Sequence, residues 1–459
     1  MLIKDIIRLN TNAEFFNDVQ LRWFWEPEKN AKLAKGYIFT RQAGENRKST
    51  VDALDMVRFG LTDPGSENRM LFLATFGQGK THLALAMANF FGKPPESEEV
   101  QYLFASLKHA YGDNPAIKNF TQLKERHPRH LVVCLQGDEV GFDLGSYFVR
   151  EVERALKGEL SGSGGMLPLW FKTALQIVDT KIAQHGPQAE AFLAQHEMDL
   201  PKLRQRLEQK DGSLYDIVRD LIEHVAGVRP DLGPRLSLNA LITHVCKDYC
   251  GHDKPYAGLV ILFDEFNAFM HSYSKSGVPG ALQDLLNGMF NNRDKSVFVG
   301  FAQRDPMTIV NALPPTNRDA LTVEMNRIPQ GSRTWLFNNL ETVLDAYIGA
   351  DEATLMDALQ QAQAWPALLQ AEEETQMLFR RRYERELQWS QEQFRANVTI
   401  GCFPLHPLAA ALLCSVDLAE TGNNTRGLLQ FVLKSKEGIE DKPAAANGAP
   451  TWICATRMV

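Results

Sequence analysis

At 459 residues the chain is long enough for two or three domains with substantial cores, and 44% hydrophobic with 23% charged residues is the balance of a soluble globular protein. No run of about 18 apolar residues is present, and residues 1–10 are too short and too charged for a signal peptide, which predicts a cytoplasmic protein without membrane association. A net charge of −7 excludes whole-surface attraction to nucleic acid and leaves only local or indirect DNA contact; six cysteines scattered in apolar surroundings suit reduced core thiols.

Residues 1–68 mix aromatic clusters (Phe15, Phe16, Trp23, Phe24, Trp25) with a polar stretch over 41–49 and a helix predicted over 50–59, and read as a lead-in that packs on the core. The stretch that follows, MLFLATFGQGKTHLALAMANFF over 70–91, is the one around which the chain is organised. Its apolar start predicts a strand over 70–74, then a glycine-containing loop, then an alanine-rich helix. The loop matches the P-loop pattern, with Ala74 where a glycine more often opens it, then Gly77, Gly79, Lys80 and Thr81. A nucleoside triphosphate brings several negative charges to one point, and backbone N–H groups at a helix start answer them. Phe76, Gly77, Gln78, Gly79, Lys80, Thr81 and His82 are therefore the predicted nucleotide-binding residues, with Lys80 on the β and γ phosphates and the Thr81 hydroxyl on Mg²⁺. The lead-in is placed to close over the adenine.

A linker over 92–100 and a helical region to 126 precede a β-branched run at 130–136, which predicts a second strand followed by a helix over 144–160. A glycine-serine break at 161–165 introduces a mostly helical insertion up to residue 250, the place for specialised contacts. Within its end, His244, Cys246, Cys250 and His252 are spaced poorly for tetrahedral zinc, since the two cysteines lie one helical turn apart. The next apolar strand, over 258–263, runs into Asp264-Glu265. Behind a P-loop, that pair predicts Asp264 as a Mg²⁺ ligand and Glu265 as the general base that polarises the attacking water. A further strand over 296–302 ends at Gln303-Arg304, where Gln303 is placed to sense the γ-phosphate or simply to end a strand.

Residues 316–329 hold a fifth strand predicted over 321–325, flanked by Arg318 and Arg327. Arg304, Arg318 or Arg327 is a candidate to reach the nucleotide of a neighbouring subunit, and a surface or ion-paired role is open for each. The chain then reads as helical: 334–347 with one buried face, 353–394 with the run Arg380-Arg381-Arg382 placed either to meet phosphate or, among so many glutamates, on a solvated face, and 402–433 as two apolar helices joined by a polar turn. Arg426, near the start of the second, is either a lid arginine turned to the nucleotide or an exposed residue of a first helical turn. The Pro/Ala/Gly-rich tail reads as truncated, or as the end of an ATPase part of a larger assembly.

In this order the motifs resemble the additional-strand P-loop ATPases of the AAA+ type. More narrowly, FGQGKTHLAL, ILFDEFNAF and CFPLHPLAAALL…NNTRGLLQF resemble the large ATPases of bacterial phage-defence systems, such as the BREX ATPases. The resemblance implies an α/β fold: a parallel-sheet core over 69–345 with a helical insertion at about 161–250, preceded by the lead-in 1–68 and followed by a helical lid over 346–459. It implies ATP and Mg²⁺ as cofactors, and a homo-oligomer or partner proteins of a DNA-directed anti-phage complex. A low-turnover ATP-binding switch or scaffold stays open as an alternative. A DNA translocase is weighed against by the acidic charge and the lack of a basic, aromatic-interleaved groove. The chain departs from these relatives at Ala74 and in its shorter length, which puts their C-terminal partner-binding parts in doubt.

Overall fold

The computed structural model describes residues 1–9, 19–40, 48–74, 79–112, 114–140, 144–156, 169–182, 185–209, 211, 213–227, 237–276, 280–336, 340–415 and 439–454. In chain order, α1 (Ile3–Ile6), α2 (Pro27–Lys35) and α3 (Thr50–Thr62) lead to β1 (Arg69–Leu73) and α4 (Lys80–Gly92). α5 (Glu98–Tyr111) and α6 (Ile117–Arg126) precede β2 (Leu131–Gln136) and α7 (Leu144–Leu156). The insertion is helical as expected: α8 (Leu169–Ile177), α9 (Gly186–Ala194), α10 (Leu200–Glu208), α11 (Leu214–Ala226) and α12 (Leu238–Tyr249). β3 (Leu259–Asp264), α13 (Phe266–Ser276), α14 (Ala281–Asn291) and β4 (Ser296–Ala302) follow, then α15 (Met307–Asn311), α16 (Pro315–Met325) and β5 (Arg333–Trp335). The chain closes on α17 (Leu340–Ile348), α18 (Glu352–Gln361), α19 (Trp365–Leu378), α20 (Gln391–Phe394) and α21 (Pro407–Ser415).

The five main strands form one parallel sheet in the order β2-β3-β4-β1-β5. Every residue of β1, β3 and β4 is buried, which is why these strands read as unbroken apolar runs rather than as alternating ones. β2 and β3 pair in register from Leu131↔Leu259 to Gln136↔Asp264, and β3 and β4 from Leu259↔Ser296 to Phe263↔Gly300.

Two C-terminal expectations are corrected. The predicted fifth strand at 321–325 lies in α16, where Pro315 starts a helix and the i,i+4 pair Leu321 and Met325 is buried on one face. The fifth strand is β5, joined to β1 where the Leu336 N–H donates to the Leu73 carbonyl at 2.7 Å. The start of the helix expected from 334 falls instead in β5, and α17 spans Leu340–Ile348. The region expected to be helical over 353–394 is so, as several helices separated by left-handed residues at Gln363 (φ 52°) and Gln388 (φ 54°).

The chain divides into two compact units. The first comprises Met1–Arg58, Phe72–Arg126 and Thr334–Val459. Within it the lead-in does two different jobs. Ile3, Ile6 and Ile7 join the apolar cluster of the C-terminal helices, with Leu344, Tyr347, Leu359 and Phe403. Farther on, α2 packs on α4, where the buried amides of Asn30 and Asn89 exchange hydrogen bonds at 2.7 Å. The carbonyls that end α4 are met by Lys124, whose buried ammonium donates to Phe90 O at 2.8 Å and Lys93 O at 2.6 Å; burial pulls its pKa down to about 7. The second unit, Phe59–Leu71 and His127–Arg333, contains β2, β3, β4 and the start of β1. It also holds the insertion, whose helices have a core of their own around Leu193, Leu203, Leu207 and Val218.

Candidate functional site

In the first unit, β1 delivers the chain to Ala74, and α4 begins at Lys80 behind Gly79. Gly79 has φ 77° and ψ 21°, and a Cβ there would meet nothing within 4 Å, so its demand is for a left-handed backbone rather than for space. Helices usually carry an acid in the first turn, complementing their positive end; α4 carries none there and opens on a lysine. The Lys80 side chain is buried and its ammonium folds back onto the Ala74 carbonyl at 2.8 Å. A buried cation at the positive end of a helix is an arrangement that an anion stabilises. Thr81 is half-buried one residue on. The ammonium, the hydroxyl and the helix start are thus donors of the kind that hold phosphate.

His82 is placed differently from its neighbours. Its Nε2 lies 2.8 Å from the Leu33 carbonyl and its ring packs edge-on against Tyr37 at 4.8 Å, while burial holds its pKa below the usual range. The imidazole therefore ties α4 to the end of α2, and what His82 offers at the helix start is its backbone. Phe76, Gly77, Gln78 and Arg426, also expected to contact nucleotide, lie outside the described residues.

In the second unit, Asp264 is the last residue of β3 and fully buried. Glu265 follows with φ 50°, a left-handed conformation that costs a non-glycine residue about 1–3 kcal/mol. Two contacts hold the turn. The Gly137 N–H donates to the Asp264 carbonyl at 2.9 Å, and the Phe269 N–H to the Glu265 carbonyl at 3.2 Å, which starts α13. Gly137 is required by space: a Cβ there would lie 2.1 Å from the Glu265 carbonyl oxygen. The two adjacent carboxylates are hard oxygen donors of the kind that suit Mg²⁺ and general-base chemistry.

Gln303 sits half-buried just beyond β4. Its N–H donates to Asn267 Oδ1 at 2.6 Å, the Arg304 N–H to the same oxygen at 3.2 Å, and Asn267 Nδ2 to the Arg304 carbonyl at 3.1 Å. Of the candidate trans-acting arginines, Arg304 is exposed, while Arg318 in α16 and Arg327 just after it are half-buried. Asn267 and Gly137 were not singled out from the sequence. The cue for Asn267 was present: an amide between Phe266 and Phe269 in an otherwise apolar opening to a helix needs a polar partner.

Elsewhere in this unit His244 pairs with Asp248 at 2.9 Å and His252 with Asp253 at 3.0 Å, while Cys246 and Cys250 are buried. Among the described residues, no helix is long and apolar enough to cross a membrane. No protein-family model matches the chain, and neither does any curated protein.

Proposed function

We propose that this chain is a Mg²⁺-dependent ATPase with a P-loop core of the additional-strand, AAA+ type and a C-terminal helical lid. The observation that carries the reading is the strand order β2-β3-β4-β1-β5. The strand that runs into the GQGKT loop and the strand that ends in Asp264-Glu265 belong to one sheet with a single strand, β4, between them, and β4 ends at Gln303. The composition of the loop and of the acid turn then assigns the roles. Lys80 would exchange the Ala74 carbonyl for phosphate oxygens, and the Thr81 hydroxyl and the Asp264 carboxylate are the groups that would take Mg²⁺. Glu265 accepts the proton of the attacking water, and Gln303 orients that water. Bound Mg²⁺ supplies charge neutralisation on the phosphate oxygens. The left-handed turn at Glu265 sets the direction in which its Cα–Cβ bond leaves the backbone, at the cost of backbone strain.

Motif wording close to that of phage-defence ATPases supports, as the setting, a bacterial cytoplasmic assembly of several copies or several proteins directed at DNA. Phosphate release from Mg-ATP by the full chain tests the chemistry. Glu265→Gln is expected to lower turnover about 100-fold or more while ATP binding is retained, as loss of a general base does; Lys80→Ala is expected to weaken ATP binding itself. Unchanged turnover in the glutamine variant removes Glu265 from the mechanism, and no ATP binding by the wild-type chain removes the reading.

A further inference from the structure

The register between β3 and β4 runs only as far as Phe263↔Gly300, three residues short of Gln303. Beyond it, the Asn267 side chain ties the β4 tip to the start of α13. Asn267, 8% exposed at the start of α13, accepts from the Gln303 and Arg304 N–H groups and donates to the Arg304 carbonyl. Its amide has one orientation that satisfies all three bonds, since flipping it would set NH₂ against two N–H donors and oxygen against a carbonyl. The same short segment carries Glu265, two residues earlier, in its constrained left-handed turn.

We propose that Asn267 is a positioning residue that makes the Glu265 turn and the Gln303 tip a single rigid piece, setting the distance between base and sensor. The inference rests on the ATPase reading and adds a residue to it. A residue that only stabilised the fold would lower the unfolding midpoint. A positioning residue also changes the chemical step selectively, because misplacing a catalytic group by about 1 Å costs on the order of 100-fold in rate.

The test uses the full chain with two readouts. In the ligand-free protein, Asn267→Ala is expected to speed amide hydrogen exchange at Gln303 and Arg304 about tenfold, the equivalent of the hydrogen bonds removed, with the amide of Phe298 unchanged. In steady-state hydrolysis of Mg-ATP the same variant is expected to lose roughly 10- to 100-fold in kcat, with KM for ATP within about twofold. Asn267→Asp keeps both accepted bonds and loses the donated one, so it should fall between alanine and wild type in both readouts; it also carries the test if the alanine variant does not fold. Wild-type turnover that Asn267→Ala leaves unchanged, or exchange at 303 and 304 that it leaves unchanged, overturns this inference alone. A wild-type chain that does not hydrolyse ATP overturns the ATPase reading and this inference with it.

Discussion

Gly137 and Glu265 show how one residue's requirement is set by another far along the chain. The end of β2 approaches the turn after β3 so closely that a methyl group at 137 would overlap the Glu265 carbonyl, and it is backbone rather than a movable side chain that stands there. Gly137→Ala is therefore expected to destabilise the protein by about 1–3 kcal/mol, the usual cost of overpacking, measured as a lower urea midpoint. An unchanged midpoint would mean that the Glu265 turn has room to relax. Lys80, Thr81, Asp264 and Glu265 could be proposed from the sequence because the patterns that single them out span neighbours only one to six positions away. Gly137 and Asn267 were not, because what they touch is decided by strand pairing.

At the scale of elements, the first four strands were legible for a simple reason: buried on both faces, they are apolar without interruption. β5 was not. It is three residues long and only partly buried, so it has no apolar run to display, whereas the more apolar stretch at 321–325 is one face of a helix. The arginine run was misread in part for the same reason. Arg380 pairs with Glu384 in solvent, as a solvated face would. Arg382 instead makes a bidentate pair with the fully buried Glu341 of α17, at 2.7 and 3.0 Å, and the Tyr383 hydroxyl donates to the same carboxylate at 3.1 Å. Arg382→Ala strands that carboxylate and is expected to cost about 3–5 kcal/mol in chemical unfolding, while Arg380→Ala leaves the midpoint where it was. Arg382→Lys should restore only part of the loss, because an ammonium cannot reproduce the two-pronged contact.

For the molecule as a whole, stability should carry a pH signature from the C-terminal helices. Asp345 on α17 lies against Gly401, where even a Cβ would come within 2.5 Å of its carboxyl, and burial, with Glu352 adding repulsion, pushes its pKa from 3.8 up to about 7. Between those values the folded chain keeps a proton that the unfolded chain has released. The contribution of this group to stability therefore falls as pH rises from about 4 to 7 and stays low above that. Asp345→Asn removes the dependence. The variant should match or trail wild type at pH 4 and gain on it steadily up to pH 7 to 8, read from urea midpoints across that range; parallel curves would mean that Asp345 titrates normally.

The sequence by itself determined what depends on short-range pattern: an α/β chain, the places of β1 to β4, the helical insertion, and the two motifs from which a magnesium-nucleotide site is proposed. Only the tertiary structure decided the order of the strands, the fifth strand, the joining of Ile3, Ile6 and Ile7 to the C-terminal helices, and the clamp of Asn267 on the β4 tip. The physical reason is that backbone preference and hydrophobic periodicity act over a few residues and leave their mark in the local sequence. Strand neighbours and buried polar partners are instead selected by which distant surfaces leave the fewest polar groups unsatisfied and the least apolar area in water.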